Sequence, residues 1–400
     1  MRRTGVFGGD AEPTCFQMNV EPNHAAEMVD LYRPRRILFF APERIVLAKG
    51  STSSPARRRL ADAICARYPE AHVVECPDVP HNRVPMEAKD ILLLHRQGKR
   101  TLVFGEHQSA VRFSEEDGNC CPNYWHFSPY GFCPYGCDYC YLAGTPGVRF
   151  SPTVKIFLNL PQILGEVGRI ASQLKKPTAF YLGKLQDGLA LDPLTGYSRE
   201  MIPFFASHPL ARLTILTKSA DVENLLPLEH RGHTTLSWTV NPPEVAEAFE
   251  KNAPGVPDRI EAMRRCSEAG YPVRAVVMPM VPIADWECVY RRFVEELLSR
   301  VRLNRITLGS ICSYPHALRL TELKLGRSNP ISRNLDPSGL KCGDGRLRFS
   351  RSLREGMYRE VIHSIRRIQP DLEIGLCLEN EATFGALDLR SSVGRCNCVL

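Results

Sequence analysis

The 400-residue sequence contains no apolar run approaching the roughly 18 to 20 residues that span a bilayer. Its start, MRRTGVFGGD, has no apolar segment of the kind a secretory leader carries. A membrane protein is therefore not expected, and a cytoplasmic location is. No internal repeat or low-complexity block stands out. A strong charge of one sign is missing too: the net charge of +7 is mild for this length, so charge alone does not decide for a nucleic-acid partner. The arginine clusters at Arg35-Arg36 and Arg57-Arg58-Arg59, with Lys99-Arg100, read as solvated helix and turn faces. Also lacking is a disulfide frame. The 15 cysteines are odd in number, scattered and set in a long chain, which points to reduced thiols. What is present is a 44% apolar composition, enough for a substantial core and against disorder of the whole.

Three of the cysteines fall within eight residues, Cys133-Pro-Tyr-Gly-Cys137-Asp-Tyr-Cys140. A structural zinc site closes with four ligands, whereas three thiolates leave one metal corner open for a substrate or cofactor. The spacing therefore implies a [4Fe-4S] cluster on Cys133, Cys137 and Cys140, with Gly136 letting the backbone curl and Pro134 stiffening its entry. Tyr139, just before the third cysteine, offers a flat side chain to cover an adenine.

Apolar runs alternating with helical periodicity organise the rest. Residues 1–33 read as a loose lead. Strands at 37–41, 72–76 and 101–105 with helices at 55–68 and 86–97 give a small parallel α/β domain over 34–118. Strands at 126–132, 178–183, 213–218, 234–240, 273–280 and 305–311, with helices such as 162–175, 257–269 and 286–301 between them, give an open partial barrel over 119–320. Residues 321–400 form a C-terminal α/β extension, with a helix at 350–368 and a strand at 373–379. Ligands of parallel α/β folds sit at the carboxyl ends of strands. Those ends carry Gly183-Lys184-Leu185-Gln186-Asp187, Lys218-Ser219, Ser237 and Asn241.

The cysteine motif is that of the radical S-adenosylmethionine (SAM) enzymes. The segment YGFCPYGCDYCYLAG (130–144) resembles the cluster loop of spore photoproduct lyases, as do LALDPLTG (189–196), LTILTKSADVENLL (213–226) and SWTVNPPEVAEAFE (237–250). The resemblance runs from about Arg36 to Pro315. It implies a (β/α)6 partial barrel and SAM chelating the open iron through its amino and carboxylate groups. It further implies reductive cleavage to a 5′-deoxyadenosyl radical, repair of an ultraviolet-induced thymine photoproduct in DNA, and an electron donor such as flavodoxin or ferredoxin. It places Lys218, Ser237, Asp187 and Tyr141 in contact with the cofactor, Lys218 pairing with the carboxylate of SAM and Asp187 with its amino group or ribose. In the lyases a cysteine after the second strand returns a hydrogen atom to the product; here that position is Lys184, and the serine before the aspartate is Gln186. Lysine cannot donate a hydrogen atom. Cys312, at the end of the sixth strand, is a replacement donor and Tyr141 a relay, or the substrate differs, RNA or a small molecule taking the place of DNA.

A reading of another class joins the three cysteines to Cys120, Cys121 or His126 in a closed zinc site of a nucleic-acid-binding module. Otherwise Cys120 and Cys121 line the approach to the cluster and His126 is structural. Cys396 and Cys398 read as free thiols of a mobile tail, with metal binding, barrel capping and hydrogen donation left open.

Overall fold

The computed structural model describes residues 32–116, 118–336 and 344–400, so all but the last two residues of the expected N-terminal lead lie outside it. Strands β1 (Arg44–Ala48), β2 (His72–Cys76) and β3 (Thr101–Gly105) come first, joined by helices Pro55–Cys65 and Ile91–Lys99. Ser54 caps the first helix by accepting the Arg57 N–H, and Asp90 caps the second by accepting the Leu92 and Leu93 N–H groups. A hairpin of β4 (Val111–Ser114) and β5 (Tyr124–Phe127) follows, then the short β6 (Tyr130–Gly131) and β7 (Gly136–Cys137), then β8 (Val154–Phe157). Next come β9 (Thr178–Leu182), β10 (Ala211–Thr217), β11 (Thr234–Thr239), β12 (Glu250–Lys251), β13 (Val273–Met280) and β14 (Arg305–Ser310). The chain closes with β15 (Cys312–Ser313), β16 (Leu335–Asp336), β17 (Leu347–Phe349) and β18 (Glu373–Leu376).

Among the described residues two sheets dominate, ordered β2-β1-β3-β8-β6 and β18-β14-β13-β11-β10-β9-β5-β4. In the larger one every neighbouring pair from β18 to β5 is parallel, and only β4 runs antiparallel. Helices such as Leu160–Leu174, Val256–Glu268 and Trp286–Arg300 form its crossovers and bury their apolar stripes. β18 and β4 end the sheet without pairing with each other, so the sheet is an open barrel.

Sheet membership crosses the boundaries expected at 118 and 320. β8 lies beyond the cysteine loop yet pairs with β3, and β18 lies in the expected extension yet pairs with β14. Two strand assignments are corrected. Residues 37–41 form a turn, with Phe40 N–H donating to Ile37 O, and the strand is Arg44–Ala48 beyond Pro42. Ile37 and Phe40 are buried nonetheless, against Tyr68, which is why the run looked like a buried strand. The expected strand 126–132 breaks at Ser128-Pro129, since proline has no N–H for the ladder. β5 stays in the large sheet while β6 joins the small one, so the cysteine loop starts at the seam between them.

Two buried histidines make the fold acid-sensitive. Burial, with Lys99 and Lys324 nearby, holds His95 down to about 2. Burial, with Lys184 and Arg112, holds His126 down to about 4. Both are neutral in the fold and take up protons on unfolding, where imidazole titrates near 6.5. Their contribution is present above about pH 6.5 and is lost as the pH falls toward 4, His126 alone accounting for roughly 3 kcal/mol. The thermal midpoint is expected to fall steadily from pH 7 to pH 4.5; a flat profile would contradict neutral burial of these rings.

Candidate active site

The cysteine loop is held from both sheets. On the barrel side, β7 pairs antiparallel with β12, setting Cys137 opposite Glu250 and Gly136 opposite Lys251. A Cβ on Gly136 would lie 3.1 Å from the Lys251 carbonyl, so close backbone approach is what the glycine allows. The Glu250 carboxylate is buried and ion-paired to Arg259 at 2.5 Å, with Lys218 Nζ at 4.0 Å. It also accepts the Tyr139 hydroxyl. Asp138, equally buried, faces Lys251 at 3.2 Å and Lys324 at 3.5 Å.

On the other side, Lys99 ends the helix Ile91–Lys99 and reaches beneath the loop. Its ammonium donates to the carbonyls of Cys133 and Tyr135 and stands 3.6 Å from the centre of the Phe132 ring. The expectation of a solvated lysine is corrected: burial lowers its pKa, opposed by Cys133, Cys140 and Cys137. Burial in turn pushes the Cys133 thiol up, with Lys99 opposing, and the Cys137 thiol up to about 12, with Lys218 opposing. The arginine clusters of the small domain are paired, Arg35 with Asp221 at 2.8 Å, Arg57 with Glu106 at 3.1 Å and Arg58 with Glu75 at 2.9 Å.

One cavity of about 180 Å³ gathers most of the expected site. Cys133, Cys137, Cys140, Tyr139, Tyr141, Gln186, Asp187, Lys218 and Cys312 all line it, and Leu216, Val276, Met278, Pro279 and Ile311 supply an apolar wall. Asp187 is held by this chain: its Oδ1 accepts from Leu189 N–H, Ala190 N–H and Thr217 Oγ1 and its Oδ2 from Lys218 N–H, at 2.6 to 3.0 Å. It braces the ends of β9 and β10, and Oδ2, with one bond, keeps room for another. Gln186 donates to Phe127 O at 3.2 Å, while its Oε1 is buried and unpartnered.

Ser237 and Lys184 do not line the cavity. Ser237 is buried in β11, on the same face as Thr239, which does line it, but about 6 to 7 Å lower along the strand. Lys184 turns away. Its Nζ donates to Ser114 Oγ and to Glu116 at 3.1 Å, over the Tyr124 ring, and only its carbonyl faces the site, accepting the Tyr141 hydroxyl.

Neither Cys120, Cys121 nor His126 lines the cavity with the loop cysteines, so the expected approach to the cluster and the closed zinc site are both corrected. His126 lies within β5. Among the described residues no three histidine, cysteine or acidic side chains already close on one ion. Three thiols spread round a cavity with unmet polar atoms at Gln186 Oε1 and Ser313 Oγ suit a larger group with a polar ligand on it. The residues present fit a cluster with SAM. Sequence reasoning missed Lys99, Glu250 and Arg259, for which only the basic and acidic residue types were visible.

Comparison with known proteins gives one family. Residues 40–309 match the family described as Spore photoproduct lyase. The spore photoproduct lyase of Clostridium acetobutylicum is 31% identical over 206 residues, 51% of this chain and 58% of that protein. That of Bacillus subtilis is 27% identical over 261 residues, 64% of this chain and 73% of that one. The chain thus matches rather more than half to three quarters of the length of these relatives. A spore photoproduct lyase complexed with dinucleoside spore photoproduct shares the fold at a TM-score of 0.74 and 21% identity, over 84% of this chain and 99% of that one. A mutant lyase with bound AdoMet and dinucleoside spore photoproduct aligns at 0.72 and 22% over 84% and 98%.

The buried ammonium of Lys99 gives a test independent of turnover. Lys99→Met leaves two loop carbonyls without their donor and is expected to weaken retention of the loop metal roughly tenfold, the effect typical of a lost outer-shell contact. Chelator competition read by iron and sulfide content measures it, with circular dichroism unchanged. Undiminished retention would remove Lys99 from the site.

Proposed function

The chain belongs to the spore photoproduct lyase family, and from that premise we propose that it is a radical SAM enzyme that repairs an ultraviolet-induced thymine photoproduct in DNA. The observation that carries the proposal is the gathering of Cys133, Cys137, Cys140, Tyr139, Tyr141, Gln186, Lys218 and Cys312 on one cavity. When bound, the [4Fe-4S] cluster and SAM supply a 5′-deoxyadenosyl radical that abstracts hydrogen from the substrate.

The residues of this chain have separable tasks. Cys133, Cys137 and Cys140 would hold the cluster, with SAM as its further ligand. Lys218, whose ion partner among the described residues is Glu250 at 4.0 Å, would orient the carboxylate of SAM. Gln186 Oε1, buried without a partner, and Asp187 Oδ2, which accepts one bond, offer acceptors to its amino group. Tyr139 is anchored through its hydroxyl and presents its ring to the cavity. The apolar wall excludes water from a reactive intermediate.

Lys184 is outside the cavity, so hydrogen return falls to another residue. Cys312 lines the cavity, and burial pushes its thiol up to about 11, against Arg348 and Arg346. It stays S–H at neutral pH, the form that can give a hydrogen atom. Tyr141, held by the Lys184 carbonyl, lines the same cavity as a relay. The electron for SAM cleavage comes from a small carrier such as flavodoxin or ferredoxin.

The test is anaerobic. The chain is reconstituted, reduced and supplied with SAM and irradiated or undamaged DNA, and 5′-deoxyadenosine and thymine products are quantified. Repair is expected with the wild type and absent with Cys137→Ala. Cys312→Ala should still cleave SAM while clean repair falls by about tenfold or more, and Lys184→Cys should leave the product distribution unchanged. SAM cleavage without repair would transfer the chemistry to RNA or a small molecule, and no cleavage would overturn the radical reading.

A further inference from the structure

Four thiols meet at the opening of the large sheet. Cys121 lies in the loop between β4 and β5 at one edge, Cys377 directly follows β18 at the other, and Cys396 and Cys398 come from the C-terminal segment. Cys121 is within hydrogen-bonding reach of Cys377 and Cys396, and Cys396 of Cys121 and Cys398. Cys377 acts on Cys398 only through its charge, so the thiols in reach of one another run as a chain, Cys377–Cys121–Cys396–Cys398. None is in a disulfide.

The surroundings are built to hold them. Leu378 donates its N–H to Cys121 Sγ at 3.3 Å from a left-handed backbone, φ 59°, a conformation that costs a non-glycine residue on the order of 1 kcal/mol. Cys120 N–H donates to Glu379 O at 2.8 Å, tying the loop to the residues beyond β18. Arg305 donates to Cys396 O at 2.8 Å and Arg274 to Val399 O at 2.6 Å, so the expectation of a mobile tail is corrected. Gly375 leaves the room: a Cβ there would lie 2.1 Å from Arg395 O. Asn397, between the two tail cysteines, is buried with both side-chain polar atoms unpartnered. Arg274 is buried, and the partners it reaches are the carbonyls of Asn397 and Val399.

We infer that Cys121, Cys377, Cys396 and Cys398 form a second metal site, a closed tetrathiolate for a single soft divalent ion of the zinc class, distinct from the three-cysteine loop. Size and charge both argue for a single ion. Zinc–sulfur bonds of about 2.3 Å in a tetrahedron set the sulfurs roughly 3.8 Å apart, the separation of thiols in contact, whereas a cubic cluster spreads its ligands more widely. Four thiolates around a divalent ion carry two negative charges; the buried Arg274 lies beside the tail cysteines, and Arg305, which Glu373 pairs at 2.6 Å with Arg395 on its other oxygen, adds its guanidinium at the Cys396 carbonyl. The thiols do not yet close on one point, as those of the cysteine loop do not, and binding draws the two ends of the chain of thiols, Cys377 and Cys398, together. Binding releases thiol protons to solvent and changes no oxidation state. The ion clips the two edges of the open barrel together, and the inference holds whatever reaction the cavity performs.

The full chain, produced and purified anaerobically, is analysed for zinc, iron and sulfide. About one zinc per chain is expected, as one tetrahedral site requires; it should survive Cys137→Ala, which lowers iron and sulfide, and disappear in Cys396→Ser/Cys398→Ser, which leaves iron and sulfide in place. Wild-type chain from cobalt-supplemented medium should show the intense visible bands and thiolate charge transfer of tetrahedral tetrathiolate cobalt, and this decides the matter if the double variant does not fold. Absence of any metal but cluster iron, zinc retained by the double variant, cobalt without tetrahedral bands, or intact mass revealing a disulfide among these cysteines would each overturn the site.

Discussion

The geometry of the cavity rests on one buried negative charge. Removing a carboxylate from water costs several kcal/mol, and such a group persists only when its partners compensate it in place. Burial pushes the Glu250 carboxyl up, but Lys218, Arg259 and the Tyr139 hydroxyl outweigh it and hold it below the ordinary range. Each compensating group is thereby fixed. Arg259 anchors the helix Val256–Glu268, Lys218 is brought to the end of β10, and Tyr139 locks the loop just before Cys140. The backbone of the same glutamate pairs with Cys137. One carboxylate therefore sets the position of a thiol, an ammonium and an aromatic ring at the same cavity.

The second constraint comes from the other sheet. Because the chain changes sheets at Ser128-Pro129 and returns through β8, the cysteine loop is bracketed by two strands of the small sheet, β6 and β8. Lys99 then fixes the loop from below by binding carbonyls rather than carboxylates, and so brings a cation to buried thiols without neutralising itself. The two sheets are thus halves of one site rather than a catalytic domain and an appendage.

This explains what was legible in the sequence. The cysteine motif is local, spanning eight residues, so the gathering of its three thiols on one cavity could be read from spacing alone. The parallel strands β9, β10, β11, β13 and β14 are apolar runs separated by helical periodicity, so their positions came within a few residues of those expected. Residues 37–41 misled because burial and strand pairing are different properties, and a turn packed on Tyr68 has the composition of a core strand. Lys99, Glu250 and the cluster of Cys121, Cys377, Cys396 and Cys398 were illegible because their meaning lies in long-range neighbours. Cys121 and Leu378, 257 positions apart, meet only once the sheet has curled.

Lys184 draws these threads together. Its position resembles a reactive one of the family, yet its side chain leaves the cavity for Glu116, a nearly buried carboxylate that Arg346 pairs on its other side at 3.0 Å. Glu116 belongs to the same loop between β4 and β5 that carries Cys121, and Arg346 lies just before β17. The Lys184–Glu116–Arg346 bridge and the thiol cluster therefore act on one loop, joining it to the sheet on one side and to the C-terminal segments on the other. A cysteine at position 184 would leave Glu116 with half its compensation. The side chain at this position ties the loop between β4 and β5 and leaves the cavity, and the reaction proposed above accordingly draws its hydrogen from a thiol elsewhere on the cavity wall.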